Sequence, residues 1–208
     1  MGKRVVALVT DMDQPLGLTA GNALEVIECL EVLEGRGPQD LRELCLDLSG
    51  WMFRLSGRVP SLAAGRDLAA GEIASGRAKA KFREIISAQS GDASVVDDIE
   101  RLPRARHTVD VVSPASGYIA GTQCEHLGLA CVVLGAGREK KEDSIDPAVG
   151  LVFHKKRGDA VGRGEPLCTL HYNSGARLDE ARKLVESSYR IAAEPPAARP
   201  LVLRVIGA

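Results

Sequence analysis

The clearest regular pattern in this 208-residue chain is a helical spacing of apolar side chains in its first half. Between Pro38 and Gly57, apolar residues recur with a period close to that of an α-helix, which brings them onto one face. These residues are Leu41, Leu44, Cys45, Leu48, Met52 and Leu55. Because Pro38 suits the first turn of a helix and Gly57 suits its end, we predict one long amphipathic helix here.

Three further helices are predicted on either side of it. Asn22 is a suitable N-cap for a helix that ends at Gly35, and Glu25 is placed to complete a capping box. Ser61 is a suitable cap for the next helix, and residues 79–88 carry the last one. The first half of the chain is therefore predicted to be mainly helical.

Before these helices lies an apolar, β-branched run, VVALV at residues 5–9. Such a run is typical of a strand that is buried on both faces of a parallel sheet. If its edge is exposed, we expect the strand to promote self-association. The loop that follows contains Asp11 and Asp13, which suit either turn formation or a site at the end of a parallel strand.

Beyond residue 106 the pattern changes to short alternating strands separated by Gly, Pro and Asp turns, which favours an antiparallel arrangement. The predicted strands are 107–112, 117–121, 130–134, 150–154 and 166–172, followed by a helix over 179–191 and a strand over 201–206. We place a domain boundary near residues 103–106.

We therefore predict an α/β protein in which residues 1–105 form part of a mixed α/β domain and residues 106–208 form an α+β domain. Residues 158–167 (GDAVGRGEPL) resemble a turn of biotinyl and lipoyl domains, which suggests a barrel-sandwich-like antiparallel core. A carrier domain modified on lysine is the alternative that this resemblance raises. Carrier lysines occupy an exposed hairpin tip, however, and neither Lys155 and Lys156 nor the lysines at 140 and 141 match that position.

Composition narrows the classes of partner. Lys and Arg number 27 and Asp and Glu number 28, so no net field attracts nucleic acid or an anionic membrane surface. Apolar runs such as 129–134 are too short to cross a bilayer, and we predict a cytoplasmic protein without nucleic-acid or membrane partners. The five cysteines are scattered and never in CxxC spacing, which predicts buried free thiols rather than a zinc site or disulfides.

Four segments of the chain resemble, in order, the pyrimidine-nucleoside phosphorylases of the thymidine phosphorylase family. They are TDMDQPLG with AGNALEV (residues 10–17 and 20–26), GPQDLRELC (37–45), AQSGDASVVDD (88–98) and LGAGREKKEDSIDPAVG (134–150). Because members of the family are about twice as long, the chain resembles the C-terminal half of such an enzyme.

The resemblance implies a transferase. Members are pentosyltransferases, a class of glycosyltransferase, that act in pyrimidine metabolism and nucleoside salvage without an organic cofactor. They convert thymidine or uridine and phosphate reversibly into the free base and deoxyribose or ribose 1-phosphate, usually as homodimers. Their Lys-His-Ser-Thr-Gly-Gly phosphate loop and their base-binding Arg, Ser and Lys lie in the N-terminal half, and no Lys-His-Ser occurs in this chain. We expect no catalytic residue here, and no activity of this chain alone.

The resemblance also implies part of a potassium site. The backbone carbonyls of Leu16 and Thr19 and the carboxylate of Glu28 match the family's ligands from this region. Carbonyl and carboxylate oxygens suit a hard cation. The alternative is that Glu28 is a solvated helix residue and that the loop before it is an ordinary connection.

A second implied feature is an active-site lid. Gly135, Gly137 and Arg138 belong to a glycine-rich, charged segment that matches a loop which closes over the family's active site. The alternative is a solvated hairpin connection.

Two other functions are compatible with the sequence. The chain could be one subunit of a split phosphorylase, with the phosphate and base sites on a separate polypeptide. It could also be a non-catalytic scaffold or interaction domain.

Overall fold

A computed structural model describes residues 2–207, which form two compact units. The first unit contains residues 2–11, 28–101 and 200–207, and the second contains residues 12–27 and 102–199. Each unit is assembled from segments that are far apart in sequence. The predicted division into residues 1–105 and 106–208 concerns the domains of a longer enzyme, and it stays a prediction.

Six α-helices and nine strands occur within the described residues. In chain order they are β1 (Ala7–Thr10), β2 (Thr19–Gly21), α1 (Ala23–Leu33), α2 (Gln39–Leu55), α3 (Leu62–Ala74), α4 (Arg77–Ala88), β3 (His107–Val112), β4 (Gly117–Thr122), α5 (Cys124–Leu134), β5 (Gly150–Phe153), β6 (Ala160–Val161), β7 (Pro166–Tyr172), α6 (Leu178–Ser188), β8 (Tyr189–Ala192) and β9 (Val202–Ile206). Two 3-10 turns, Ala93–Val96 and Ile99–Arg101, follow α4.

The helices of the first half form where the sequence predicts them, although the Asn22 side chain donates to the Ala136 carbonyl and does not cap α1. Val26 donates its N–H to the Asn22 carbonyl at 3.2 Å, and Gly35, with φ of 80°, follows the end of α1. The Ser61 hydroxyl accepts the N–H of Ala64 at 3.2 Å, which caps α3 as predicted. The four predicted helices are confirmed.

In the first unit, α2 and α3 cross at a contact between two glycines. A Cβ added to Gly65 would lie 2.5 Å from the Gly50 carbonyl oxygen and 2.8 Å from its Cα. Beside this crossing, the guanidinium of Arg66 forms ion pairs with Glu43 and Asp47 of α2. The absence of side chains at the two glycines lets the helix backbones approach closely enough for these contacts.

The prediction that residues 5–9 form a strand buried in a parallel sheet is wrong. The strand, β1, pairs antiparallel with β9 in a two-stranded sheet, and Val5 and Val9 are exposed. An apolar, β-branched run favours extended backbone, but it does not specify the identity or the direction of the partner strand.

Two other strand and helix predictions are corrected. Residues 130–134 are the last part of α5 and not a strand. The buried residues of α5 are Leu127, Ala130, Cys131 and Leu134, which is the spacing of one helix face. The helix predicted over 179–191 ends at Ser188, and the chain continues as β8.

The second unit is built on two open antiparallel sheets, so the predicted mixed fold with an antiparallel part is confirmed. Their strand orders are β2-β5-β7-β3 and β6-β4-β8, and neither closes into a barrel within the described residues. Helices α5 and α6 pack on the first sheet. The resulting core contains Val111, Leu127, Ala130, Cys131, Leu134, Val149, Leu151, Phe153, Cys168, Leu170, Ala181 and Val185.

We predict that Gly65→Ala destabilises the first unit, although alanine favours a helix interior over glycine by about 0.5–1 kcal/mol. The added methyl group would collide with the backbone of Gly50, and overpacking of this kind costs about 1–3 kcal/mol. Gly71→Ala is the matched control, because it lies in the same helix and its Cβ would meet no atom within 4 Å. Thermal unfolding followed by circular dichroism should show a lower midpoint for Gly65→Ala only. An equal or higher midpoint for that variant would contradict the prediction.

Candidate functional site

The loop between β1 and β2 is held in place by hydrogen bonds to its backbone. The N–H of Phe153 donates to the Leu18 carbonyl at 2.7 Å. The ammonium group of Lys156 donates to the Gly17 carbonyl at 2.9 Å, and the hydroxyl of Thr122 donates to the Asp13 carbonyl at 3.0 Å. Three separate parts of the second unit therefore fix the path of this loop.

At the end of the loop, β2 approaches β5 at two facing glycines. Gly21 pairs with Gly150; a Cβ on Gly21 would lie 2.7 Å from the Val149 carbonyl oxygen, and a Cβ on Gly150 would lie 2.3 Å from the Ala20 carbonyl oxygen. The first residue of α1, Ala23, then donates its N–H to the Pro147 carbonyl at 2.9 Å. The start of α1 is thus tied to the segment that precedes β5.

The segment from Gly135 to Ser144, called here the glycine loop, is tied to the same place. The side-chain amide of Asn22 donates to the Ala136 carbonyl at 2.9 Å. At this end Gly135 adopts a left-handed conformation, with φ of 105°, and ends α5. Two segments that the sequence singles out, around Asn22 and around Gly135, are therefore in direct contact.

Asp146 closes the base of the glycine loop. Its N–H donates to the Gly135 carbonyl at 2.9 Å, which brings the two ends of the loop together. One carboxylate oxygen accepts the N–H of Ala148 at 3.0 Å, and the other accepts the side-chain amide of Asn173 at 2.7 Å. This one side chain connects the loop to its own continuation and to the end of β7.

The tip of the glycine loop is exposed and is organised by charged side chains. The carboxylate of Asp143 accepts the N–H groups of Glu139 and Lys140 at 3.0 and 2.8 Å, and Arg177 forms an ion pair with Glu139 at 2.7 Å. Arg138 is exposed and forms no ion pair with the rest of residues 2–207. The loop joins helix α5 to strand β5, so it is not a hairpin connection, but its exposed residues agree with the solvated connection that the alternative describes.

The residues that the resemblance implies as potassium ligands are Leu16, Thr19 and Glu28. Leu16 and Thr19 belong to the second unit, and Glu28 belongs to the first. The Leu16 carbonyl accepts no hydrogen bond from the described residues, and the Thr19 hydroxyl is buried without a hydrogen-bond partner among them. Glu28 is only 5% exposed, so the alternative of a solvated helix residue is wrong. The oxygen chemistry fits a hard cation.

Other clustered metal ligands do not occur in the described part of the chain. No group of three or more His, Cys, Asp or Glu side chains within residues 2–207 is arranged to hold a metal ion. No helix in that range has both the length and the apolar character needed to cross a membrane.

The cysteines form no disulfide, and the two buried ones have thiols that stay protonated. Burial, followed by the charge of Glu25, raises the pKa of Cys131 to about 12, and burial also raises the pKa of Cys168. A thiol with so high a pKa is a poor nucleophile at neutral pH. Cys29 and Cys45 are exposed, so the prediction of burial is wrong for them.

The lysines near the barrel-sandwich-like turn are used in structural contacts. Lys155 forms an ion pair with Glu165 at 2.6 Å and donates to the Ala160 carbonyl at 2.9 Å. Its hydrogen bond is the largest cause of the lowered pKa of Glu165. Lys156 donates its hydrogen bond to the Gly17 carbonyl. Neither lysine is free at a hairpin tip, which argues against modification as in a carrier domain.

Sequence reasoning missed the side chains that connect the segments. Lys156 and Gly17 are 139 positions apart, and Asn22 and Ala136 are 114 positions apart. A lone lysine or asparagine carries no local signal of such a contact. Gln14 was also missed, although its side-chain oxygen is buried without a hydrogen-bond partner in the described residues.

Comparison with known proteins gives consistent matches. Residues 118–192 match the family model of the pyrimidine nucleoside phosphorylase C-terminal domain. The chain is 41% identical to the pyrimidine-nucleoside phosphorylase of Geobacillus stearothermophilus over 202 residues, which are 97% of this chain and 46% of that protein. Against the pyrimidine-nucleoside phosphorylase of Bacillus subtilis strain 168 the identity is 42% over 197 residues, 95% of this chain and 45% of the relative. The chain thus spans less than half the length of these relatives, and it matches their C-terminal part.

We predict that Asp146→Ala loosens the base of the glycine loop. Removing acceptors from two partly buried donors should lower the free energy of unfolding by about 1–3 kcal/mol. Hydrogen exchange of the amides at residues 135–148 should become about tenfold faster, as expected for ~1.4 kcal/mol. Asp143→Ala is the control, because its two hydrogen bonds lie within the tip. Equal exchange at Ala136 and Ala148 in the two variants would contradict the assignment of Asp146 as the anchor.

Proposed function

The chain is homologous to the C-terminal part of pyrimidine-nucleoside phosphorylases, and on that premise we propose that it forms the C-terminal part of a phosphorylase of this class. The reaction is the reversible phosphorolysis of a pyrimidine nucleoside to the free base and ribose or deoxyribose 1-phosphate. The observation that carries the proposal is the identity of 41% along 97% of the chain.

The chemistry of the reaction supports assigning part of the active site to a further polypeptide segment. A phosphate oxygen forms a bond to C1′ of the sugar while the bond from C1′ to the base nitrogen breaks. The electron pair leaves with the base, which then takes up a proton. Cations and N–H donors must stabilise both the incoming phosphate and the departing base. Since no phosphate-loop motif occurs in this sequence, we assign these groups to the part of the enzyme that precedes the matched region in the relatives.

The contact between α1 and the glycine loop supports a role beside the active site. Asn22 and Ala23 tie the helix start to both ends of the loop region, at Ala136 and Pro147. We propose that the loop containing Gly135, Gly137 and Arg138 closes over the bound substrate. Its fixed base and exposed, charged tip support this proposal, because a lid needs an anchored hinge and a tip that is free of the core.

We also propose that Leu16, Thr19 and Glu28 contribute oxygen ligands to a potassium ion. The carbonyl of Leu16 without a hydrogen bond and the buried carboxylate of Glu28 support this proposal. A bound cation would be attracted by the negative charge of the buried Glu28 carboxylate. It would also add positive charge where an anionic substrate binds.

The main test compares two proteins. One is the 208-residue chain, and the other joins the N-terminal part of the Bacillus subtilis relative, up to the matched region, to these 208 residues; we call it the joined protein. We expect phosphate-dependent release of base from thymidine or uridine by the joined protein and none by the 208-residue chain. Activity of the 208-residue chain would overturn the assignment of the catalytic groups. An inactive joined protein that folds cooperatively would overturn the proposed function.

For the potassium site, we predict that Glu28→Gln in the joined protein raises the potassium concentration for half-maximal activity about tenfold, or ~1.4 kcal/mol. A neutral amide oxygen is a weaker ligand for a hard cation than a carboxylate oxygen. Glu25→Gln is the control, because Glu25 is exposed on the same helix and its substitution removes the same charge. Rates are measured in a potassium titration with choline chloride holding the ionic strength constant. An unchanged midpoint for Glu28→Gln would exclude Glu28 as a ligand.

A further inference from the structure

The second unit contains a small polar cavity of about 290 Å³ that the phosphorolysis reaction does not use. It lies between Gln14, the turn at Arg157 and Gly158 that precedes β6, and residues 195–199. All of these residues belong to the second unit. Ligand pockets in proteins measure about 300–1,000 Å³, so the size of this cavity suits a small molecule.

The charge of the lining is positive. Two guanidinium groups, those of Arg157 and Arg199, line the cavity, and no carboxylate does. Arg157 is partly buried; its guanidinium donates to the Ala197 carbonyl at 2.8 Å and forms no ion pair within residues 2–207. A guanidinium carries several N–H donors in a planar fork, which matches two oxygens of one anion. Most of the donors of Arg157 are therefore available to a ligand.

Arg199 adds a second cation that a ligand can recruit. Its guanidinium forms an ion pair with Asp13, whose side chain is 67% exposed. An ion pair with so exposed a carboxylate is screened by water and contributes little to stability. An anion in the cavity can therefore replace Asp13 as the partner of Arg199 at small cost.

Gln14 brings an amide group that lacks a partner. Its side chain makes no hydrogen bond with the other described residues, and its amide oxygen is buried. A buried oxygen without a hydrogen bond costs about 1–3 kcal/mol. Because no bond holds the amide, rotation about the last side-chain bond can turn either its oxygen or its NH₂ group to the cavity. A hydroxyl group both donates and accepts, so it can bond to the amide in either orientation.

The volume indicates a ligand larger than an inorganic anion. One water molecule takes about 30 Å³ of liquid, so a single tetrahedral anion fills only part of the cavity of about 290 Å³. A ligand that fills the space and satisfies the lining carries a negative group at one end and hydroxyl groups at the other.

We propose that this cavity binds a phosphate monoester of a small hydroxylated molecule, such as a sugar phosphate. The phosphoryl group binds to Arg157 and Arg199, and a hydroxyl group of the ligand binds to Gln14. A phosphate monoester carries nearly two negative charges at neutral pH, which suits two guanidinium groups better than a carboxylate with one. The site is formed by this chain alone, so it does not depend on the proposed phosphorolysis.

The test is a titration of the isotope-labelled 208-residue chain with ribose 5-phosphate at neutral pH and constant ionic strength. Binding is followed by NMR through the Nε–H signals of the arginines and the side-chain amide of Gln14. We expect saturation with a Kd of about 1 mM or lower, and a Kd at least tenfold higher for inorganic phosphate and for ribose. Equal affinity for inorganic phosphate and ribose 5-phosphate would overturn the proposal, as would a titration that does not saturate.

Three variants assign the contacts. Arg157→Gln should weaken binding of ribose 5-phosphate at least tenfold, and Arg157→Lys should weaken it less, because the charge stays while the planar fork is lost. Gln14→Leu should remove most of the preference for ribose 5-phosphate over inorganic phosphate.

Arg163→Gln is the matched control. Arg163 is exposed between β6 and β7, and its substitution removes the same charge outside the cavity lining. An equal loss of binding in Arg163→Gln and Arg157→Gln would overturn the proposal, since the attraction would then be a general effect of charge. The dispersion of the NMR spectrum checks that each variant folds. Because binding is measured in the 208-residue chain, an inactive joined protein would leave these results unchanged.

Discussion

The close contact between Gly21 and Gly150 is the constraint on which the arrangement of the second unit around α1 depends. A Cβ on Gly150 would lie 2.3 Å from the Ala20 carbonyl, so only two glycines let β2 and β5 approach this far. The approach sets where α1 begins, and Ala23 and Asn22 then reach Pro147 and Ala136. Larger side chains at the two glycine positions would separate the strands and with them the helix start from the glycine loop.

Much of the helical structure was predictable because its signals are local. The spacing of apolar residues from Leu41 to Leu55 predicts α2, and the hydroxyl of Ser61 predicts the start of α3. Both depend on residues within a few positions of one another, where backbone geometry is fixed by the repeat of the helix. Strands β3 and β7 were found for the same reason, since alternation has a short period.

The failures come from features that are not local. The apolar run before Asp11 predicted extended backbone correctly, but β9 lies almost the whole chain away and runs in the opposite direction. In α5, the β-branched Val132 and Val133 favour a strand in isolation. The buried residues between Leu127 and Leu134 have the spacing of one helix face, and packing of that face against the sheet stabilises the helix.

The candidate site shows the same difference between local features, which could be predicted, and non-local features, which could not. Resemblance to a family pointed to the segments, but the bonds made by Lys156, Asn22 and Asp146 depend on the folded chain and could not be inferred from spacing. Those bonds also distinguish the anchored base of the glycine loop from its exposed tip. Asp146 fixes the base through partly buried donors, whereas the exposed pair of Glu139 and Arg177 is screened by water and contributes little. The exposed tip that carries Arg138 is thus joined to the core only through exposed contacts, whereas the base is attached to α1, and this difference is the basis of the proposed lid.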